Sequence, residues 1–175
     1  MKGQDEIKNK FERNVKALTL KPALGLGKGN STVRIVNGLS CEIQEDGWKL
    51  KTDMPKQVGG SASAPTPGVL GRAAFGSCLA TAYVLWASKL NIIIDSLEIN
   101  VQTDYDNGGL FGSSDSPAGY SEVRYVVKIK SPHSHKKIEE FLNIADTHSP
   151  YLDVFSRAQS CKRELELIND YTKKT

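Results

Sequence analysis

The sequence is poor in the residues that build covalent or metal-held scaffolds. Its 175 residues include three cysteines, three histidines and two methionines. Cys41, Cys78 and Cys161 stand too far apart in sequence for a disulfide ladder or a zinc pattern. The histidines (His133, His135, His148), taken with Asp146, lack metal-ligand spacing, so no metal is expected. Long apolar runs are also scarce: the stretch 67–94 is interrupted by Arg72, Lys89 and Asn91, which argues against a membrane span. Asp5 and Glu6 occupy the place where a secretory leader would be apolar. These absences predict a cytoplasmic protein with reduced thiols and no membrane partner.

Charge is balanced overall at +3, but unevenly spread. Residues 1–28 carry seven Lys/Arg against Asp5, Glu6 and Glu12, a local charge of +4. A solvated helix face accounts for that excess, and no nucleic-acid partner is expected. Gly25-Leu26-Gly27-Lys28-Gly29 has the glycine content of a phosphate loop, but no Lys-Ser/Thr follows it and no strand precedes it. No cofactor is predicted.

The elements present have clear periods. Ile7, Phe11, Val15 and Leu18 recur at helical spacing, predicting an amphipathic helix over roughly 4–18. A glycine-rich loop follows. Val33 and Ile35, then Leu39, Cys41 and Ile43, then Trp48, Leu50 and Thr52 alternate as three short strands. Asn37-Gly38 reads as the first turn and Glu45-Asp46-Gly47 as the second, with Cys41 facing the core. Two longer antiparallel strands are predicted around 97–103 and 123–129, joined by a Gly/Ser-rich loop. Ser134 caps a helix whose apolar face is Ile138, Phe141, Leu142 and Ala145. A short helix near 151–157 follows Pro150, and Leu165 and Leu167 alternate in a last strand. Strand groups separated by helices, without regular βαβ alternation, give an α+β class in one domain, 1–175.

The centre of the chain is the segment opened by Pro67, which fits the first turn of a helix. From Gly68 to about Leu90 it is apolar on nearly every side, so this helix must be enclosed. One domain of this size has little material to wrap it, and a second copy is the natural supplier. Cys78 lies in its middle, within Gly76-Ser77-Cys78-Leu79-Ala80. A thiol among small apolar residues is normally packing, because the thiolate is the reactive form and needs a cation, a helix end or a partner to favour it.

Gly59-Gly60, Pro67 with Gly76-Ser77-Cys78-Leu79-Ala80, Thr103-Asp104-Tyr105-Asp106 and Ser149-Pro150 occur in an order and spacing that resemble the OsmC/Ohr family. These are the osmotically inducible and organic-hydroperoxide-resistance proteins. The resemblance covers roughly 32–168, leaving 1–30 as an N-terminal helix and flexible loop. It implies antiparallel sheets wrapped around a long buried central helix in an intertwined homodimer. It also implies a thiol peroxidase: a cysteine on the central helix, matched by Cys78, attacks the hydroperoxide and becomes a sulfenic acid. A second cysteine of the family then condenses with it, and here that position is Ser149. The family's Glu after the helix-opening proline is Gly68 here. Its activating Arg comes from a hairpin that matches the stretch near Asn37-Gly38, with Arg34 close in sequence.

The expected function is therefore reduction of organic hydroperoxides by Cys78, with an external thiol as reductant and a role in the oxidative stress response. A dimer binding a small apolar ligand in the pocket between subunits, or a stress-protective structural dimer, are the alternatives. Around Cys78 the candidate supporting residues are Ser149, His148, Arg72 and Arg34. His148 is a base if the late helix end packs over Cys78. Arg72 is placed for a salt bridge or a dimer contact, and Cys161 is a possible substitute resolving thiol. Phe75, Tyr83 and Trp86 are core residues or the walls of a dimer pocket.

Overall fold

The computed structural model describes residues 3–168. Helix α1 (Gln4–Leu20) is followed by a single 3-10 turn at Pro22–Gly25. Strands β1 (Thr32–Asn37), β2 (Ser40–Glu45) and β3 (Trp48–Thr52) form an antiparallel meander. The long helix α2 (Pro67–Leu90) comes next. Strand β4 (Ser96–Tyr105), the short helix α3 (Asn107–Phe111) and strand β5 (Tyr120–Lys130) follow it. Helices α4 (His135–Asp146) and α5 (Pro150–Ser156) complete an α+β architecture.

The first hairpin turn lies one residue beyond the expected pair. Asn37 still pairs with Ser40, so the turn residues are Gly38 and Leu39, with Gly38 at φ +53°. Glycine at the first central position suits a type II′ turn, which matches the twist of the flanking strands. The helix α3 falls in the stretch read as loop. Asp106 creates it by accepting a hydrogen bond from the Gly108 amide at 2.7 Å.

The core is built on α2. Phe75, Leu79, Tyr83 and Ala87 point into a cluster with Ile92, Ile94, Phe141 and Ala145, backed by one face of the β4–β5 sheet. Thus α4, α5 and β4 cover one side of α2, and α1 covers its C-terminal end. The other side is bare: Val69, Ala73, Ser77, Thr81 and Leu85, four residues apart, are exposed. One chain therefore encloses the central helix only in part. By length and composition α2 is also apolar enough to cross a membrane, despite Arg72 and Lys89. Its buried face, packed on α4 and β4, explains that character as that of a core helix.

The β1–β3 meander contributes nothing to this core. Val33, Ile35, Trp48 and Leu50 are exposed, and Cys41 is half-buried and not in the core. Alternation predicts which residues share a sheet face, but not whether the same chain covers that face. The expected last strand is likewise absent among the described residues: 157–168 run without helix or strand, with Leu165 and Leu167 exposed. A strand requires a neighbour to complete its ladder, and among the described residues no strand pairs with this segment.

The loop from β3 to α2 is organised by one carboxylate. Asp53, 1% exposed, accepts from the Met54 amide and from the amides and hydroxyls of Ser61 and Ser63. Gly60 is required here, because a Cβ at that position would collide with the Met54 carbonyl. This knot sets where Pro67 begins α2.

Candidate functional site

Cys78 projects from the middle of α2 into an open groove of about 430 Å³. One wall is α2 itself, through Ala74, Ser77, Cys78, Thr81, Ala82 and Leu85. The other wall is the elbow between α4 and α5, through His148, Pro150 and Tyr151. The thiol is half-buried, and the surface around it is mostly apolar. The helix thus presents a sulfur, flanked by the hydroxyls of Ser77 and Thr81, to a space that admits a small apolar molecule.

The elbow exists because Ser149-Pro150 ends α4 and starts α5. Pro150 takes the first position of the new helix, and the Ser149 carbonyl accepts from the Asp153 amide at 3.1 Å. Ser149 is only 2% exposed, and its hydroxyl oxygen has no hydrogen-bond partner among the described residues. The residues on either side of it line the groove, while its own side chain is buried behind the wall.

Four candidate residues were expected around Cys78, and the chain brings one of them into its groove. His148 lines it. Arg72 lines a second groove of about 440 Å³, bounded by Val69, Ala73, Gly76, Ile99 and Val101. Among the described residues its guanidinium has no ion pair, so the expected salt bridge is not formed there. The guanidinium lies over Gly68, with Nη1 at 3.4 Å from where a Cβ of residue 68 would be. Ser77 lines both grooves and is the ridge between them. Arg34 is exposed on β1 opposite Glu42, in the meander that stands off the core, and does not line the Cys78 groove of its own chain. Cys161, exposed beyond α5, does not line it either.

Beneath the groove lies a polar cluster that the sequence did not advertise. The Tyr83 hydroxyl donates to Asp146 Oδ1 at 2.7 Å, and the Tyr125 hydroxyl approaches Oδ2 at 3.5 Å. Burial, reinforced by the Asp146 carboxylate, holds the Tyr83 hydroxyl far above the usual phenol range. Tyr125 is raised for the same reasons, burial first. The three residues come from α2, β5 and α4, so no local spacing announces them. His133 is half-buried and accepts at Nε2 from the Ile93 amide at 3.1 Å. Trp86, half-buried, packs at a tilt against His148, a contact between distant segments that no local spacing announces.

The Thr103–Asp106 motif has a structural role in this chain. Asp104 is held by both guanidinium nitrogens of Arg124, at 2.6 and 2.8 Å, and the Arg124 side chain keeps its carboxyl below the ordinary range. Asp106 caps α3 and receives the Ser114 hydroxyl.

The model of the OsmC family, described as OsmC-like protein, matches residues 60–164. The fold is shared with solved structures. An OsmC-like protein from Mycoplasma pneumoniae is 21% identical, with a TM-score of 0.65 over 74% of this chain and 88% of that one. The organic hydroperoxide resistance protein OsmC of Legionella pneumophila is 17% identical, with a TM-score of 0.56 over 74% and 90%. The organic hydroperoxide resistance protein OhrB of Bacillus subtilis is 25% identical, with a TM-score of 0.51 over 73% and 90%. A sequence comparison with curated proteins finds no match.

Proposed function

The chain belongs to the OsmC family, and from that premise we propose that it reduces organic hydroperoxides through Cys78, with an external thiol as reductant. The observation that carries this reading is the half-buried thiol at the wall of an open, mostly apolar groove. An alkyl or aryl hydroperoxide has an apolar body to bury and a terminal oxygen to present to the sulfur. Attack breaks the O–O bond, leaves Cys78 as a sulfenic acid and releases the alcohol. With Ser149 where the family has its second cysteine, the sulfenic acid is reduced by two external thiols, which leave as a disulfide with water.

The working unit in this reading is a homodimer. The exposed stripe Val69–Ala73–Ser77–Thr81–Leu85 on α2 and the uncovered face of the β1–β3 meander are apolar surfaces that a second copy would cover. The protein acts in the cytoplasm, without nucleic acid or membrane. Consumption of cumene hydroperoxide with a dithiol reductant, by wild type and by Cys78→Ser, tests the activity.

A second reading is favoured by one observation: among the described residues neither arginine nor lysine lines the Cys78 groove. In that reading the groove binds a small apolar ligand without turnover. Ligand binding would then persist in Cys78→Ser, and wild type would consume no hydroperoxide.

A further inference from the structure

Among the described residues one basic side chain lines the Cys78 groove, and it is an imidazole. His148 is anchored by its own helix end. Nδ1 lies 3.0 Å from the Ile144 carbonyl and 2.7 Å from the Thr147 hydroxyl. A carbonyl only accepts, so this contact puts the proton on Nδ1 and leaves Nε2 as the nitrogen with a free lone pair.

The flat side of the ring is held as well. The Trp86 indole packs on His148 with ring centroids 4.2 Å apart and planes at 42°. Trp86 is met edge-on by Phe11 of α1, at 5.3 Å and 73°. Lys89 Nζ lies over both rings, 4.4 Å from Trp86 and 5.1 Å from Phe11. The N-terminal helix is fixed in turn to the end of α2: Gln4 donates to the Ile92 carbonyl at 2.5 Å and Lys8 to Asn91 Oδ1 at 2.9 Å. A continuous chain of ring contacts therefore runs from α1 through Trp86 to a residue on the wall of the thiol groove.

We propose that His148 is the proton-transfer partner of Cys78, and that Phe11 of the N-terminal helix acts through Trp86 as a positioning residue for the imidazole. The proposal rests on the peroxidase reading and supplies what the groove otherwise lacks. Nε2 takes the proton of the Cys78 thiol, giving a thiolate and an imidazolium. The thiolate attacks the terminal oxygen of ROOH: the S–O bond forms, the O–O bond breaks, and the sulfur is oxidised as the peroxide is reduced. The departing RO⁻ takes the proton from Nε2. The products are the sulfenic acid and ROH, and His148 is neutral again, ready for the next turnover. The titratable groups around the imidazole are Cys78 and Tyr151 in the groove and Lys89 across the Trp86 ring.

The test is the rate of Cys78 alkylation by iodoacetamide against pH, with hydroperoxide turnover measured on the same preparations. His148→Gln is expected to slow alkylation near neutral pH several-fold relative to wild type. Its kcat/KM for cumene hydroperoxide is expected to fall about 10²-fold, within the usual range for acid–base catalysis. Added imidazole should restore part of the rate in His148→Ala, an effect that a packing role does not produce. Phe11→Ala should lower turnover several-fold in wild type and not at all in the His148→Ala background. An unchanged alkylation profile in His148→Gln overturns the proposal, as does a slow His148→Ala that imidazole fails to rescue. The alkylation measurement needs no hydroperoxide. Slower alkylation in His148→Gln with no turnover in wild type would refute the peroxidase reading and retain the thiol–imidazole pair.

Discussion

The Tyr83 hydroxyl donates to Asp146 Oδ1 at 2.7 Å, fastening the middle of α2 to the last residue of α4. That bond sets where the elbow carrying His148 and Pro150 sits relative to Cys78. Tyr83→Phe should cost about 1.5–3 kcal/mol, the range for a hydrogen bond to a charged group, measured by urea unfolding. The raised Tyr83 hydroxyl also fixes a pH dependence. The folded state keeps this phenol protonated, while the unfolded chain releases the proton near pH 10. Its contribution is complete below about pH 10 and declines as pH rises above it. Tyr83→Phe should flatten that alkaline limb.

Acid should act at the loop before α2. The Ser61 hydroxyl first, then the Ser63 amide and hydroxyl, hold the Asp53 carboxyl well below the usual carboxylate range. Its contribution is present above the ordinary carboxylate pKa of about 4 and is lost as pH falls below that value. Asp53→Asn should lower the melting temperature at neutral pH and reduce the acid sensitivity of unfolding. An unchanged acid limb would show that Asp53 does not organise the loop.

Ser149 gives the opposite kind of prediction. A buried hydroxyl without a partner costs about 1–3 kcal/mol relative to a satisfied one. Ser149→Ala should therefore leave stability unchanged or raise it by up to about 1 kcal/mol, within the same range of polar-group costs. A loss of more than that, read from chemical denaturation, would mean that the hydroxyl is bonded in solution.

The exposed stripe on α2 predicts the assembly. Ser77 lies at its centre and lines both grooves. Ser77→Arg should place a charge in the interface and shift the mass measured by light scattering from two chains to one. Wild type should remain two chains at micromolar concentration; a folded wild-type monomer there would contradict the dimer.

Local pattern predicted most of the elements and the place of Cys78, because periodicity and caps are local. Pro67 opened α2 and Ser134 capped α4, accepting from the Lys137 amide as expected. Apart from α3, which Asp106 caps locally, the misses share one cause: the partner of a residue is invisible to local pattern. Cys41 alternates correctly, yet it is only half-buried and lies outside the core cluster. Leu165 and Leu167 alternate with no strand beside them. Asp106 made a helix of an Asn-Gly-Gly stretch that looks like a turn. The meeting of Phe11, Trp86 and His148 joins three distant segments, and no spacing in the sequence encodes it.

The central claim is that Cys78 performs the chemistry. Its most direct test is mass spectrometry of the protein after one equivalent of cumene hydroperoxide, with dimedone present to trap sulfenic acid. The account predicts a single dimedone adduct on the Cys78 peptide, formed as the hydroperoxide is converted to its alcohol and lost in Cys78→Ser. An unmodified Cys78 with the hydroperoxide unconsumed, or an adduct at Cys41 or Cys161 instead, would contradict it.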